Sequence, residues 1–163
     1  MSKITNLMGK FEKGVTLLEA LIVLGLMAAM LLIVVPAFYE IIQKYRAETA
    51  VEQIVMNLRF ARLAAVKKRI QYKVVIRDEL STPANTYEVQ MDPLKIASFE
   101  KYTRADTSLP AGLTILSGGI SQILYNPRGV ATITGGGNIR VKSTDYSYRI
   151  NVFTSGAVTK TRE

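Results

Sequence analysis

The chain has 163 residues and a formal net charge of +8, and it contains no histidine and no cysteine. These absences exclude disulfides, cysteine nucleophiles, Ser-His-Asp triads, and the usual zinc and haem ligands. The length allows one modest domain in addition to a membrane segment. The positive charge fits solubility and attraction to anionic lipid headgroups, and it also fits binding to nucleic acid.

The first predicted element is an apolar run, residues 20–38, which follows a basic leader and contains no charged side chain. As a helix the run would be about 28 Å long, close to the hydrocarbon thickness of a bilayer. A cleaved secretory signal has a shorter apolar core, and a buried soluble helix is apolar along one stripe only. We therefore predict a membrane-spanning helix whose amino end is cytoplasmic, because three lysines precede it.

Two residues of this segment call for explanation. Glu19 is a lone carboxylate at the entrance of the apolar run, and a carboxylate in hydrocarbon is costly unless it has a partner. Pro36 lacks an amide donor and frees the carbonyl of Leu32, so the helix should kink or loosen there.

Gly14, the sequence Val15-Thr16-Leu17-Leu18-Glu19 and an apolar helix with Pro36 together resemble the class III signal of type IV pilins and pseudopilins. The resemblance implies that a prepilin peptidase cuts after Gly14 and methylates Val15, the new amino terminus. It implies that Glu19 pairs with the amino terminus of a neighbouring subunit, and that Pro36 permits local melting of the helix in the filament. The free amine of Val15, one helical turn from Glu19, is a natural counter-charge.

Residues 39–68 change to a one-sided pattern, with apolar residues at i, i+3 and i+4 spacing and no proline or glycine. One helix, Thr16–Lys68, is therefore expected, with its second half packed on a globular head. The cations Lys67, Lys68 and Arg69 suit the negative end of the helix dipole.

Residues 69–163 show the alternation and turn signals of a β-rich head. The predicted strands are 71–77, 86–91, 95–102, 113–116, 120–125, 130–134, 139–142, 146–153 and 157–161. Strands 130–134 and 139–142 are expected to form a hairpin with a flexible tip at Gly135–Gly137. Neither this glycine cluster nor Gly118-Gly119 has the lysine and serine or threonine of a phosphate-binding loop.

The predicted fold class is α+β, a long amino-terminal helix packed on a carboxy-terminal antiparallel β-sheet head, as in type IV pilins. The expected divisions are a cleaved leader (1–14), a transmembrane and filament-core helix (15–38), an amphipathic helix half (39–68) and the head (69–163). The head would be periplasmic while the subunit is anchored in the inner membrane. It would later belong to a periplasmic pseudopilus or an extracellular pilus.

Three short motifs add a more specific resemblance. Asn57-Leu58-Arg59-Phe60-Ala61-Arg62 in the helix, a Tyr125–Gly129 turn and a final strand after Ser155-Gly156 resemble the GspH/FimT-type minor pseudopilins. This implies a structural subunit of a type II secretion pseudopilus or type IV pilus, at or near the tip. Its partners would be the prepilin peptidase, other pilins, the inner-membrane assembly platform and, before assembly, membrane lipid. No catalytic, metal or cofactor residue is expected, because no spacing of the carboxylates indicates a catalytic pair.

The alternative function is DNA binding in DNA uptake. Some FimT-like members bind DNA through a basic carboxy-terminal motif, approximately Gly-Arg-x-Arg. In this chain Gly156 matches, but Ala157 occupies the place of the first arginine. Four cations remain candidates for contact with DNA phosphates: Arg128, Arg140, Lys160 and Arg162.

Overall fold

The computed structural model describes residues 16–102 and 107–163. Its helix α1 spans Leu17–Lys68, as the sequence predicts, and continues through Pro36. The ten strands of the described chain are β1 (Tyr72–Arg77), β2 (Thr86–Met91), β3 (Glu100–Lys101), β4 (Thr107–Ser108), β5 (Thr114–Ile115), β6 (Ile120–Tyr125), β7 (Ala131–Gly135), β8 (Asn138–Lys142), β9 (Ser147–Val152) and β10 (Val158–Arg162). The chain divides into two compact units, one ending at Glu40 and the other comprising Ile41–Glu163.

The part of α1 that belongs to the second unit packs one face against the strands. Its buried positions recur at helical spacing and include Ala47, Val51, Ile54, Leu58 and Ala61. The small alanines and the larger branched residues of this face belong to the same buried core as the strand residues. The helix ends where Arg69 takes a left-handed conformation (φ 55°), a common way for a helix to stop. This packing confirms the predicted α+β fold class.

The strands form two antiparallel sheets rather than one. In the first sheet the order is β3-β2-β1-β6-β7, and β4 also pairs with β2. In the second sheet the order is β10-β9-β8-β5. The largest fully buried side chains are three tyrosines, Tyr72, Tyr87 and Tyr125, all carried by the first sheet.

The predicted hairpin of β7 with β8 is wrong. β7 pairs with β6, β8 pairs with β9, and the chain passes from one sheet to the other at Gly135–Gly137. At this crossing Gly136 N–H donates to the Gly119 carbonyl oxygen at 2.9 Å. A Cβ atom on Gly119 would lie 2.7 Å from the carbonyl oxygen of Asn138. The two glycine clusters therefore allow a close backbone approach, whereas the sequence suggested only a flexible tip.

The predicted strand 95–102 is also largely wrong. Only Glu100–Lys101 pairs with β2. The buried Asp92 carboxylate accepts hydrogen bonds from the N–H groups of Ile96 (3.2 Å) and Ala97 (2.9 Å). These bonds fold the chain that follows Asp92 into a turn. The Asp92 carboxylate takes up amide groups that would otherwise form hydrogen bonds with a neighbouring strand. The short strand β4 was not predicted, and its two residues pair with Thr86 and Tyr87 of β2.

Candidate functional site

The amino end of α1 carries the residue that the sequence marks for assembly. Glu19 lies in the first turn, and its N–H donates to Thr16 Oγ1 at 3.2 Å. The N–H of Ala20 donates to the Thr16 carbonyl oxygen at 3.1 Å. Thr16 is therefore the N-cap, and Thr16-Leu17-Leu18-Glu19 has the spacing of a capping box. The sequence interpretation did not identify this cap, although the Thr-x-x-Glu pattern indicates it.

The Glu19 side chain itself remains available to a partner. It is exposed, and no residue within 16–102 or 107–163 forms an ion pair with it. A carboxylate is favoured at this position by the positive end of the helix dipole. Gly14 and Val15 lie outside the described residues, so the cut after Gly14 and the pairing of Glu19 with an amino terminus stay predictions.

The first unit has an exposed apolar surface among its described residues. Between Leu17 and Phe38, the large apolar side chains are 44% (Val34) to 82% (Leu17) exposed. The helix is long and apolar enough to cross a membrane. Because exposed apolar area of this extent is unfavourable in water, it needs lipid or another protein against it. Pro36 lies in this stretch, within the helix.

In the second unit the three motifs of the more specific resemblance meet at Arg62. Its Nε donates to the carbonyl oxygen of Gly129 at 3.2 Å, across 67 residues of sequence. A Cβ atom on Gly156 would lie 2.6 Å from Arg62 Nε and 3.0 Å from Arg62 Cδ. We name this arrangement of Arg62, Gly129 and Gly156 the Arg62 junction. It holds the helix, the turn after β6 and the turn before β10 together.

Both glycines of the junction have left-handed backbone conformations, with φ +79° at Gly129 and φ +78° at Gly156. Gly129 N–H donates to Asn126 O at 2.9 Å, and Gly156 N–H donates to Phe153 O at 2.7 Å, closing two tight turns. Glycine suits both positions because it has no Cβ to oppose either the conformation or the arginine. The sequence predicts both turns but not their contact with Arg62.

Tyr125, at the end of β6, is buried near the junction. Its hydroxyl has no hydrogen-bond partner within the described residues. Burial raises the pKa of Tyr125 to about 12 from the ordinary value of 10.0, and the charge of Arg62 opposes this rise. Between these two values the unfolded chain binds fewer protons than the native one, so stability falls as the pH rises above about 10.

Tyr125→Phe is expected to raise the free energy of unfolding by about 1 kcal/mol, because it removes a buried hydroxyl without a partner. It should also flatten the alkaline loss of stability. The matched control is Tyr87→Phe, since the Tyr87 hydroxyl accepts a hydrogen bond from Asn57 Nδ2 at 2.9 Å. That variant should lose about 1 kcal/mol. Thermal unfolding at about pH 8 and about pH 11 measures both effects, and a loss of stability in Tyr125→Phe at the lower pH would contradict this interpretation.

The four cations proposed for DNA contact differ in their surroundings. Lys160 forms a hydrogen-bonded ion pair with Glu52, and this contact lowers the pKa of Glu52. Arg162 lies over the ring of Tyr146, 4.7 Å from its centroid, and Arg140 Nη2 donates to the carbonyl oxygen of Ser117 at 3.3 Å. Arg128 is exposed on the turn after β6. Three of the four cations therefore already have partners within the second unit.

A cavity of about 490 Å³ lies between α1 and the strands β9 and β10. Its lining combines two acids, Glu48 and Glu52, with the cations Lys160 and Arg162. The hydroxyl of Tyr148 donates to Glu48 Oε1 at 3.4 Å, and burial first and Glu48 second raise the pKa of Tyr148. Within this lining, Lys160 pairs with Glu52. Residues 16–102 and 107–163 contain no group of three or more acids that could hold a metal.

Comparison with known proteins places the chain in a family. The family model of the type II transport protein GspH matches residues 50–156. The chain belongs to the GspH family. The match contains Arg62 and the turn that ends at Gly129, and it stops at Gly156, so the whole Arg62 junction lies within the family region. A search among curated proteins finds no match to the sequence.

Solved structures share the fold of this GspH-family chain. The minor pseudopilin EpsH of the Vibrio cholerae type 2 secretion system matches with a TM-score of 0.57 at 13% identity, covering 72% of this chain and 97% of EpsH. The type IV minor pilin FimU of Pseudomonas aeruginosa matches with a TM-score of 0.51 at 16% identity, covering 71% and 88%. The GspH-family chain thus has the fold of a minor pseudopilin and of a type IV minor pilin. The comparisons give no support to the DNA-uptake alternative.

Proposed function

We propose that residues 15–38 of this GspH-family subunit first anchor it in the inner membrane. A prepilin peptidase then cuts the chain after Gly14, and the subunit enters a pseudopilus or pilus filament. The observation that carries the proposal is the uncovered apolar surface of α1 from Leu17 to Phe38. The described residues contain one helix long and apolar enough to span a membrane, which in a chain of the GspH family fits a single-pass inner-membrane protein with a periplasmic head. Lipid covers the surface before assembly, and the helices of other subunits cover it afterwards.

In this proposal Glu19 supplies the specificity of assembly. The cut creates a free amine at Val15, which the peptidase then methylates without removing its positive charge. Glu19, exposed and without an ion-pair partner in the described chain, pairs with the amine of a neighbouring subunit. In a medium of low dielectric such a pair is stronger than in water. Pro36 allows the helix to loosen in the packed filament.

The remaining steps involve partners outside the chain. The inner-membrane assembly platform lifts the processed subunit out of the bilayer, and the subunit takes a position at or near the filament tip. Its head then contacts the heads of other pilin-type subunits.

Gly14→Ala is expected to abolish processing, because the peptidase cuts after this glycine. The variant should remain at full length on a gel, longer than the mature chain by residues 1–14, and should be absent from filaments. The matched control is Gly25→Ala, a glycine eleven residues further along the chain, where an added Cβ would meet no atom within 4 Å. Gly25→Ala should be processed normally. Normal processing of Gly14→Ala would rule out this cleavage site.

A further inference from the structure

The Arg62 junction leaves part of its guanidinium group unused. Arg62 is half-buried, and Nε forms its hydrogen bond within the described residues, to Gly129 O. The two terminal nitrogens have no hydrogen-bond partner or ion pair in residues 16–102 or 107–163. Because the turns at Gly129 and Gly156 hold the side chain in place, its free donors are presented in a fixed direction. A pre-ordered guanidinium loses little conformational entropy when it binds a partner.

The elements that meet at the junction carry exposed apolar side chains. They are Leu63 (68% exposed) and Val66 (46%) on α1, Val130 (44%) directly after Gly129, and Phe153 (49%) in the turn closed by Gly156. Val66 Cγ2 would lie 3.1 Å from a Cβ on Gly129, next to Arg62. The N–H of Ala131 donates to the carbonyl oxygen of Thr154 at 2.9 Å, which joins the segment that carries Val130 to the segment that carries Phe153. We name Arg62 and these four side chains the Arg62 surface.

We propose that the Arg62 surface docks a carboxylate flanked by apolar side chains on a neighbouring pilin-type subunit, an inference that rests on the proposed function. A guanidinium with two free terminal nitrogens matches the two oxygens of a carboxylate. Arginine is enriched among the residues that contribute most to protein–protein binding, and nearby apolar residues help to exclude water from such contacts once the partner is bound. The adjacent cations Arg59, Lys67 and Arg128 also favour an acidic partner.

The apolar rim identifies the partner as protein. Interfaces with nucleic acid are polar and strongly positive, and their cations contact phosphates through a hydrated surface. Against a hydrated phosphate backbone, the four exposed apolar side chains of the Arg62 surface would bury no apolar area. Against a protein segment, the same side chains bury apolar area while the guanidinium binds the acid.

The test places a photo-crosslinking amino acid at position 130 of the full chain and irradiates assembled filaments. We expect an adduct with a filament subunit, attached at a peptide that contains Asp or Glu. Arg62→Gln keeps a donor for the Gly129 carbonyl but removes the charge, and it should lower the adduct yield roughly tenfold. Phe153→Ser should also lower the yield without altering the junction. The matched control is Leu80→Ser, on the exposed turn after β1 (80% exposed), which should leave the yield unchanged.

Incorporation of the probe-bearing chain into filaments is measured first. A chain that is absent from filaments would contradict the proposed function and the inference that rests on it. An incorporated chain that gives no adduct, or an adduct with lipid or nucleic acid, would overturn the inference alone. An adduct whose yield is unchanged in both Arg62→Gln and Phe153→Ser would do the same. The melting temperature of each variant, purified in detergent, shows whether the head is still folded, and Phe153→Ser decides the question if Arg62→Gln unfolds.

Discussion

Gly156→Ala is expected to lower the free energy of unfolding of the head by roughly 3–5 kcal/mol, a large part of the stability of a small domain. The added methyl group would lie 2.6 Å from Arg62 Nε and would also collide with the Gly129 carbonyl oxygen. Neither the arginine nor the turn can move away without breaking the hydrogen bond between them. Alanine is in addition strained at a φ of +78°.

Gly112→Ala is the matched control for Gly156→Ala. Gly112 has a similar left-handed φ of +88°, but an added Cβ there would meet no atom within 4 Å. Only the conformational strain remains, about 1–2 kcal/mol. Chemical unfolding of the full chain in detergent, followed by near-ultraviolet circular dichroism of the tyrosines, compares the two variants. Equal losses would show that the Arg62 junction adds nothing beyond backbone strain.

Glu19→Gln is expected to reduce incorporation into filaments roughly a hundredfold, although the variant should insert normally into the membrane. A hundredfold loss corresponds to about 3 kcal/mol of assembly free energy. We expect this loss because the amine of the neighbouring subunit would have no counter-charge in a medium of low dielectric. Glutamine can replace glutamate in a capping box, so the start of α1 should be preserved. Glu19→Ala should fail to the same extent, because it also removes the charge.

Thr16→Ala separates the charge of Glu19 from its place in the helix cap. The variant loses the 3.2 Å hydrogen bond from Glu19 N–H to Thr16 Oγ1, a change of about 1 kcal/mol in helix stability. It keeps the carboxylate, and it should therefore enter filaments nearly as well as the unmodified chain. Quantitative immunoblots of sheared filaments against membranes measure the difference. If Glu19→Gln is incorporated normally while Thr16→Ala is not, Glu19 acts only as a cap.

Much of the architecture could be predicted from local patterns. The helix follows from an apolar run and a helical period without a break, and it ends at Lys68 as expected. Strands β2 and β6 have the predicted bounds. The alternation of apolar and polar residues along a strand determines which side chains are buried, but it does not determine which strand lies next to it. For this reason β7 and β8 were wrongly paired, although both were located.

The candidate site was predicted unevenly for the same physical reason. Glu19 and Thr16 are three residues apart, so the sequence contains the whole capping pattern. Arg62 and Gly129 are 67 residues apart, and their contact depends on how the helix packs on the first sheet. The sequence motifs at both positions could be recognised, but only the fold shows that they meet. The role of Gly119 and Gly136 likewise depends on a contact between two loops.

The mass of the amino-terminal peptide of the chain recovered from purified filaments tests the central proposal most directly. The proposed function predicts a peptide that begins at Val15 and carries one methyl group on its amine, with residues 1–14 absent. A chain found only in the membrane fraction, or one that enters filaments with Met1 still at its amino terminus, would contradict it.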